Sequence, residues 1–116
     1  MSKEINLKID EKLFTSEVRR FTDIATECIE LYAKKNADYG NSFDVNMDKF
    51  GDVVATIRIG DKYSRLEQLT KPGNKANVND ESIDDTLIDL ACYAIMTLSY
   101  RRRNKINVEL DKNYKI

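Results

Sequence analysis

Three carboxylates at four-residue spacing stand out as side chains that could do chemistry. Glu81, Asp85 and Asp89 repeat at every fourth position, and this spacing keeps side chains on one face of a helix. The same face continues into Cys92 and Met96, where an unpaired charge would be costly. Grouped oxygen ligands of this kind suit a hard cation such as Mg²⁺.

This acidic stripe also fits two roles that need no metal. The helix dipole stabilises first-turn acids by about 0.3–1 kcal/mol. This accounts for Glu81 and the neighbouring Asp84, less well for Asp85, and not for Asp89, more than two turns into the helix. Alternatively, Arg58 and Arg65 of the preceding helix pair with the stripe, or they bind a phosphate group in a cleft. Guanidinium groups pair bidentately with carboxylate or phosphate, so the sequence does not decide.

A cluster of polar side chains follows the first predicted helix, in "KKNADYGNSF" at residues 34–43. As the wall of a ligand site, Asn36 and Asp38 would orient a base or a ribose by hydrogen bonds. Tyr39 would stack on a base, and Lys35 would meet a phosphate. The simpler interpretation is a helix C-cap rich in Asn and Asp and closed by glycine.

The side chains that the chain lacks narrow the chemistry. There is no His and no Cys-x-x-Cys motif, which argues against a zinc site and against Ser-His or Cys-His nucleophiles. Cys28 and Cys92 fall on apolar stripes of predicted helices, so we expect reduced core residues. Catalysis would have to use carboxylates, amines or a metal held by oxygen.

Three predicted helices carry these side chains. Their apolar residues recur at helical spacing, and the only proline, Pro72, lies in the clearest loop, "TKPGNKANVND". The third helix is apolar around most of its circumference, so we expect it to be central. With Thr15 or Ser16 capping the first and Asn79 or Asp80 the third, the helices cover about residues 16–35, 49–69 and 80–102.

The two ends of the sequence show a different pattern. Apolar and polar residues alternate over 4–10 and again over 105–111, which predicts two short strands that pair as a ribbon. The expected fold is therefore mainly α, a three-helix bundle core with a short β ribbon formed by the N- and C-terminal segments. Residues 1–116 are expected to form a single domain.

The composition limits the classes of partner that are expected. The net charge is −1, with 34% charged residues, so direct DNA binding is not expected. No apolar run approaches the ~20 residues of a membrane span, and "MSKEINLKID" has no apolar core of a signal peptide, which predicts a cytoplasmic protein. The apolar third helix predicts a homo-oligomer with that helix or the terminal strands near its axis.

The motifs together resemble a known family. "KNADYGNSF", "RIGDKYSRLEQL" and "ESIDDTLIDLACYAIM" resemble, in order, the motifs of the nucleotide modification associated domain 1 family of phages and bacteria. The resemblance spans roughly residues 27–96. It implies a nucleotide-related role, in the host cytoplasm if the protein is encoded by a phage.

The chain is similar, more remotely, to the all-α nucleoside triphosphate pyrophosphohydrolases of the MazG type. Those hold Mg²⁺ with a Glu-x-x-Glu on one helix and a Glu-x-x-Asp on a later one. Here the interval between the two pairs is longer, Ser82 replaces a common acid, and a solvated helix face also accounts for the first pair. Together with the stripe, the similarity implies the metal ligands Glu27, Glu30, Glu81, Asp84, Asp85 and Asp89.

Three functions follow as hypotheses. The first is Mg²⁺-dependent hydrolysis of a nucleoside triphosphate or related nucleotide, with Glu30, Glu81 and Asp85 as catalytic acids. The second is a binding protein that sequesters a nucleotide or nucleotide signal without chemistry, and the third is a purely structural helical homo-oligomer. The sequence does not name the nucleotide or the oligomer size. The expected substrate-binding residues are Lys35, Asn36, Asp38, Tyr39, Arg58, Lys62 and Arg65.

Overall fold

In the computed structural model the chain is mainly helical. The structure describes the backbone of residues 2–39, 41–73 and 80–114, and their side chains except at 38, 39, 80, 81 and 106–114. No helix in this part of the chain combines the length and apolarity needed to cross a bilayer. After a 3₁₀ turn at Glu11–Leu13, the helices of the described residues are α1 (Ser16–Tyr39), α2 (Ser42–Phe50), α3 (Val53–Leu69) and α4 (Asp80–Tyr114).

The first predicted helix begins as expected. The Thr15 hydroxyl accepts a hydrogen bond from the Val18 N–H at 3.3 Å, which satisfies a donor that has no partner within the helix. Thr15 is therefore the N-cap. Only Cys28 of α1 is fully buried among the described side chains, so this helix lies at the edge of the bundle.

The second predicted helix is interrupted. Gly51 has φ 76°, a left-handed conformation that glycine adopts without strain, and its N–H donates to the Met47 carbonyl at 2.8 Å. This glycine ends α2 and lets the chain turn into α3. The predicted helix over 49–69 is thus two elements, and α2 was not predicted.

The core lies where α2, α3 and α4 meet. Short side chains on α3 allow α2 and α4 to approach it, and Met47 at their junction is 1% exposed. The buried residues of this core are Phe43, Met47, Val54, Ala55 and Tyr100. Tyr93 and Met96 of α4 are partly buried and pack against them.

Polar contacts hold the C-terminal half of α4 against α2. The Tyr100 hydroxyl donates to an Asp48 carboxylate oxygen, and this hydrogen bond raises the pKa of Tyr100 above its ordinary value. Arg103 Nη1 lies 3.0 Å from Asp44 Oδ2. These contacts set the direction in which α4 crosses α2.

The helix predicted to be central is buried on one side only. Its inward side carries Thr86, Tyr93 and Tyr100. Its outward side carries Leu87 and Ile95, which are 46% and 62% exposed. The helix was predicted to be central because most of its circumference is apolar, but Leu87, Ile95 and Leu98 face outward.

The predicted β ribbon is wrong. Residues 2–10 form no regular structure, and residues 105–111 lie inside α4. No glycine or proline interrupts the sequence from Asp80 to Tyr114, so nothing stops the helix. Alternation of only three apolar residues was too short to distinguish a strand from a helix, and the N-terminal segment then has no partner strand.

Candidate functional site

A cavity of about 230 Å³ opens among the four helices. Sites for drug-sized ligands measure about 300–1,000 Å³, so this cavity holds part of such a ligand rather than all of it. Its walls combine apolar, amide and charged side chains. They are Leu31, Tyr32, Lys35, Asn36, Asn41, Ser42, Phe43, Asp44, Asn46, Arg58, Lys62, Asp89, Cys92, Tyr93 and Met96.

One carboxylate in this cavity lies between two lysines. Asp89 Oδ2 is 3.0 Å from Lys62 Nζ, and Asp89 Oδ1 is 3.5 Å from Lys35 Nζ. The Asp89 side chain is 25% exposed, so the pairs are partly shielded from water and salt. Asp89 therefore stabilises two lysines that would otherwise repel each other where α1, α3 and α4 meet.

The cavity also carries a cation whose charge is not neutralised by a described acid. Arg58 makes no ion pair with another described residue, whereas Asp44 is paired with Arg103. Asn41 precedes the first turn of α2 and makes no side-chain capping bond. The N–H groups of that first turn have no partner within the helix, so they favour an anion.

Aromatic rings form the apolar wall. Phe43 and Tyr93 contact each other with ring centroids 5.9 Å apart and ring planes tilted by 48°. Tyr32 lies on the same cavity and is 42% exposed, so its ring is available to a ligand. A flat apolar ligand group can stack on such rings.

The structure brings together four of the seven residues predicted to bind substrate. Lys35, Asn36, Arg58 and Lys62 line the cavity. Arg65 instead donates from Nε to the Thr86 hydroxyl at 3.3 Å and ties α3 to α4. The side chains of the remaining two, Asp38 and Tyr39, lie outside the described residues.

The predicted acids do not gather in the part of the chain whose side chains are described. There, no three acidic or thiol side chains are close enough to hold a metal ion. Asp89 pairs with lysines rather than with Arg58 or Arg65. The side chain of Glu81 lies outside the described residues. The remaining four predicted ligands, Glu27, Glu30, Asp84 and Asp85, are all exposed.

Sequence reasoning missed several cavity residues. Neither Tyr32 nor Tyr93 was predicted to be a binding residue. Asn41, Ser42 and Asn46 reach the cavity because α2 is a helix whose first turn faces it. Gly51 was the available signal, because a glycine at this position can end a helix. Recognising that end would have defined α2 as a separate helix before it.

Two neighbouring thiols lie at the cavity wall: Cys92 lines the cavity and is half-buried, and Cys28 is buried. Burial raises the pKa of the Cys92 thiol to about 11, and the neighbouring Cys28 contributes. Both cysteines are free, as predicted, and the Cys92 Sγ donates weakly to the Cys28 carbonyl at 3.9 Å. The folded state therefore favours the protonated thiol.

We expect Cys92 to resist alkylation in the folded chain. Only the thiolate reacts, and a rise from 9.0 to about 11 lowers its fraction near pH 8 by roughly 100-fold. The raised pKa also adds stability that is complete below pH 9 and is lost as the pH rises towards 11. Mass spectrometry after a pulse of iodoacetamide measures the reaction, with the urea-unfolded chain as control. Equal labelling rates in both states would contradict the assignment.

Comparison with known proteins gives one match. The model of the family described as nucleotide modification associated domain 1 matches residues 35–99. Searches of curated proteins and of solved structures found no significant match. The matched segment holds every cavity residue except Leu31 and Tyr32. Because the match covers more than half of the sequence, the chain belongs to the nucleotide modification associated domain 1 family.

Proposed function

We propose that this chain binds a nucleotide in the cavity between its helices. The observation that carries the proposal is that groups favouring an anion and an aromatic wall line one cavity of about 230 Å³. A nucleotide has a phosphate at one end and a flat base at the other. The membership in a nucleotide-associated family points to the same ligand class.

The phosphate end is assigned to Arg58 and the first turn of α2. Guanidinium groups bind phosphate bidentately, and unpaired N–H groups at a helix start add donors and a favourable dipole. Lys62 and Lys35 lie on the same cavity. A ligand with several negative charges would draw them away from Asp89.

The base end is assigned to the aromatic wall. Tyr32 supplies an accessible ring, and stacking of a base on an aromatic side chain is worth about 1–3 kcal/mol. Asn36 and Asn46 are half-buried on the cavity, where amide groups both donate and accept hydrogen bonds. Amides so placed can distinguish one base edge from another.

Thermal stabilisation by a panel of nucleotides tests the proposal. A ligand at about 100 times its Kd raises the free energy of unfolding by about 2.7 kcal/mol. We expect mono-, di- or triphosphates of at least one base to raise the Tm more than the matching nucleoside or inorganic phosphate does. The proposal fails if no nucleotide raises the Tm, or if phosphate alone is as effective as every nucleotide.

Hydrolysis of the bound nucleotide is the second candidate function. The observation in its favour is Asp85, an exposed acid one helical turn from Asp89 of the cavity. The described side chains do not assemble a set of ligands for Mg²⁺, so we assign no step to the metal. Pyrophosphate or phosphate release with Mg²⁺, abolished in Asp85→Asn while binding persists, would establish hydrolysis. If no nucleotide releases pyrophosphate or phosphate, the protein binds nucleotides without hydrolysing them.

A further inference from the structure

One apolar stripe of α4 has no partner among the described residues. Its large members are well exposed, Leu87 by 46%, Leu98 by 48% and Ile95 by 62%, and both of its alanines are exposed. Helical spacing places them on one line. We call this set, Leu87, Ala91, Ala94, Ile95 and Leu98, the outer stripe of α4.

The chain exposes more surface than a compact monomer. Its accessible surface is 10,031 Å², whereas a compact chain of 13.4 kDa exposes about 6,500 Å². Its radius of gyration is 18.0 Å, against about 13 Å for a compact domain of this length. Residues 2–10, which form no regular structure and are exposed, supply part of this surplus of about 3,500 Å², and a standard interface needs roughly 800 Å² per partner.

The spacing of the outer stripe fits a second helix of the same kind. Leu87, Ala91, Ala94 and Leu98 follow each other at intervals of four, three and four residues, which is the repeat of paired helices. In an antiparallel pair, each leucine meets the other leucine of the second copy, and alanine meets alanine. Small central residues let the two helices approach closely, so the stripe is complementary to itself.

Charges at the two ends of the stripe select the antiparallel orientation. Asp84 precedes it on the same side of the helix, and Arg101 and Arg102 follow it. Arg101 pairs with Asp52 within the chain at 2.6 Å. An antiparallel partner brings the acidic end of each helix to the basic end of the other, whereas a parallel partner brings like charges together.

We propose that the outer stripe of α4 binds the same stripe of a second copy of this chain in an antiparallel arrangement. The two-fold axis crosses the stripe midway between Leu87 and Leu98, at the level of residues 92 and 93 along the helix. Such an interface is isologous, the commonest type in homodimers. Asp89 and Met96 of the cavity lie on the other side of α4 from Leu87 and Leu98. Both cavities of the dimer therefore stay open.

Sedimentation equilibrium at micromolar concentration tests the interface. We expect twice the mass of the 13.4 kDa chain for the wild type and the single-chain mass for Leu98→Glu, with unchanged helical circular dichroism. Phe21→Glu is the matched control, because Phe21 is also apolar and is 77% exposed, but on α1. A wild-type monomer, or a dimer that only Phe21→Glu dissociates, would overturn the proposal.

Cross-linking tests the orientation. A mixture of Leu87→Cys and Leu98→Cys chains should form disulfide-linked pairs containing one of each under mild oxidation. Either variant alone should not, because antiparallel copies of position 87 lie about 16 Å apart along the axis. The wild type, which keeps Cys28 and Cys92, is the background control. Efficient linking of one variant with itself would show a parallel pair and refute the proposed axis.

Discussion

Replacing Met47 with alanine is expected to lower the free energy of unfolding by about 2–5 kcal/mol. Met47 is 1% exposed at the junction of α2, α3 and α4. Removing its side chain leaves a cavity in a core that has few other buried apolar residues among those described. Since small domains are stable by only about 5–15 kcal/mol, this one change removes a large share of the total.

Thermal unfolding followed by circular dichroism measures the effect at one fixed chain concentration. We expect the Tm to fall by roughly 8–20 °C. Val45→Ala is the matched control, because Val45 lies on the same helix and is 47% exposed, and exposed substitutions change stability by about 0.5 kcal/mol or less. Similar small shifts for both variants would show that α2 does not belong to the core.

Arg58→Ala and Asp89→Asn are expected to shift nucleotide affinity in opposite directions. Loss of Arg58 removes a charged hydrogen-bonding partner of phosphate, worth about 1.5–3 kcal/mol, so the Kd should rise by roughly 10–100-fold. Neutralising Asp89 removes a negative charge held between Lys35 and Lys62. The lysines are then available to the ligand, and the Kd should fall.

Isothermal titration with the tightest-binding nucleotide of the panel measures both changes. Arg20→Ala is the matched control, since Arg20 pairs only with Glu17 among the described residues, and both side chains are over 70% exposed. It should leave the Kd unchanged within about twofold. If Asp89→Asn weakens binding as strongly as Arg58→Ala does, Asp89 contacts the ligand itself, and the charge assignment is incorrect.

Local signals account for what the sequence predicted correctly. The start of α1 depends on Thr15 and its hydrogen bond to the next turn, and α4 begins at Asp80, one of the two predicted cap residues. Four cavity residues, Lys35, Asn36, Arg58 and Lys62, were predicted from their chemical types and local positions, and their motifs also resemble those of the family. These features are encoded within a few neighbouring positions.

Tertiary contacts account for what the sequence did not predict. The partner of Asp89 is Lys62, 27 positions away, and no spacing rule within one helix indicates it. Which side of α4 is buried depends on where α3 and α2 pack, because both sides are apolar. The wrong strand over 105–111 arose since period-two and helical patterns coincide over so few residues.

The shortness of α2 has a consequence for the cavity. A helix of nine residues is not stable alone in water, so α2 persists only while Met47 and Phe43 remain docked. The same helix and its N-cap supply Asn41 and Asp44 to the cavity rim. Detachment of α2 about Gly51 would thus abolish the pocket while α3 and α4 remained packed. We therefore expect the α2 wall of the cavity to open as a unit smaller than the domain, at a lower free energy than global unfolding.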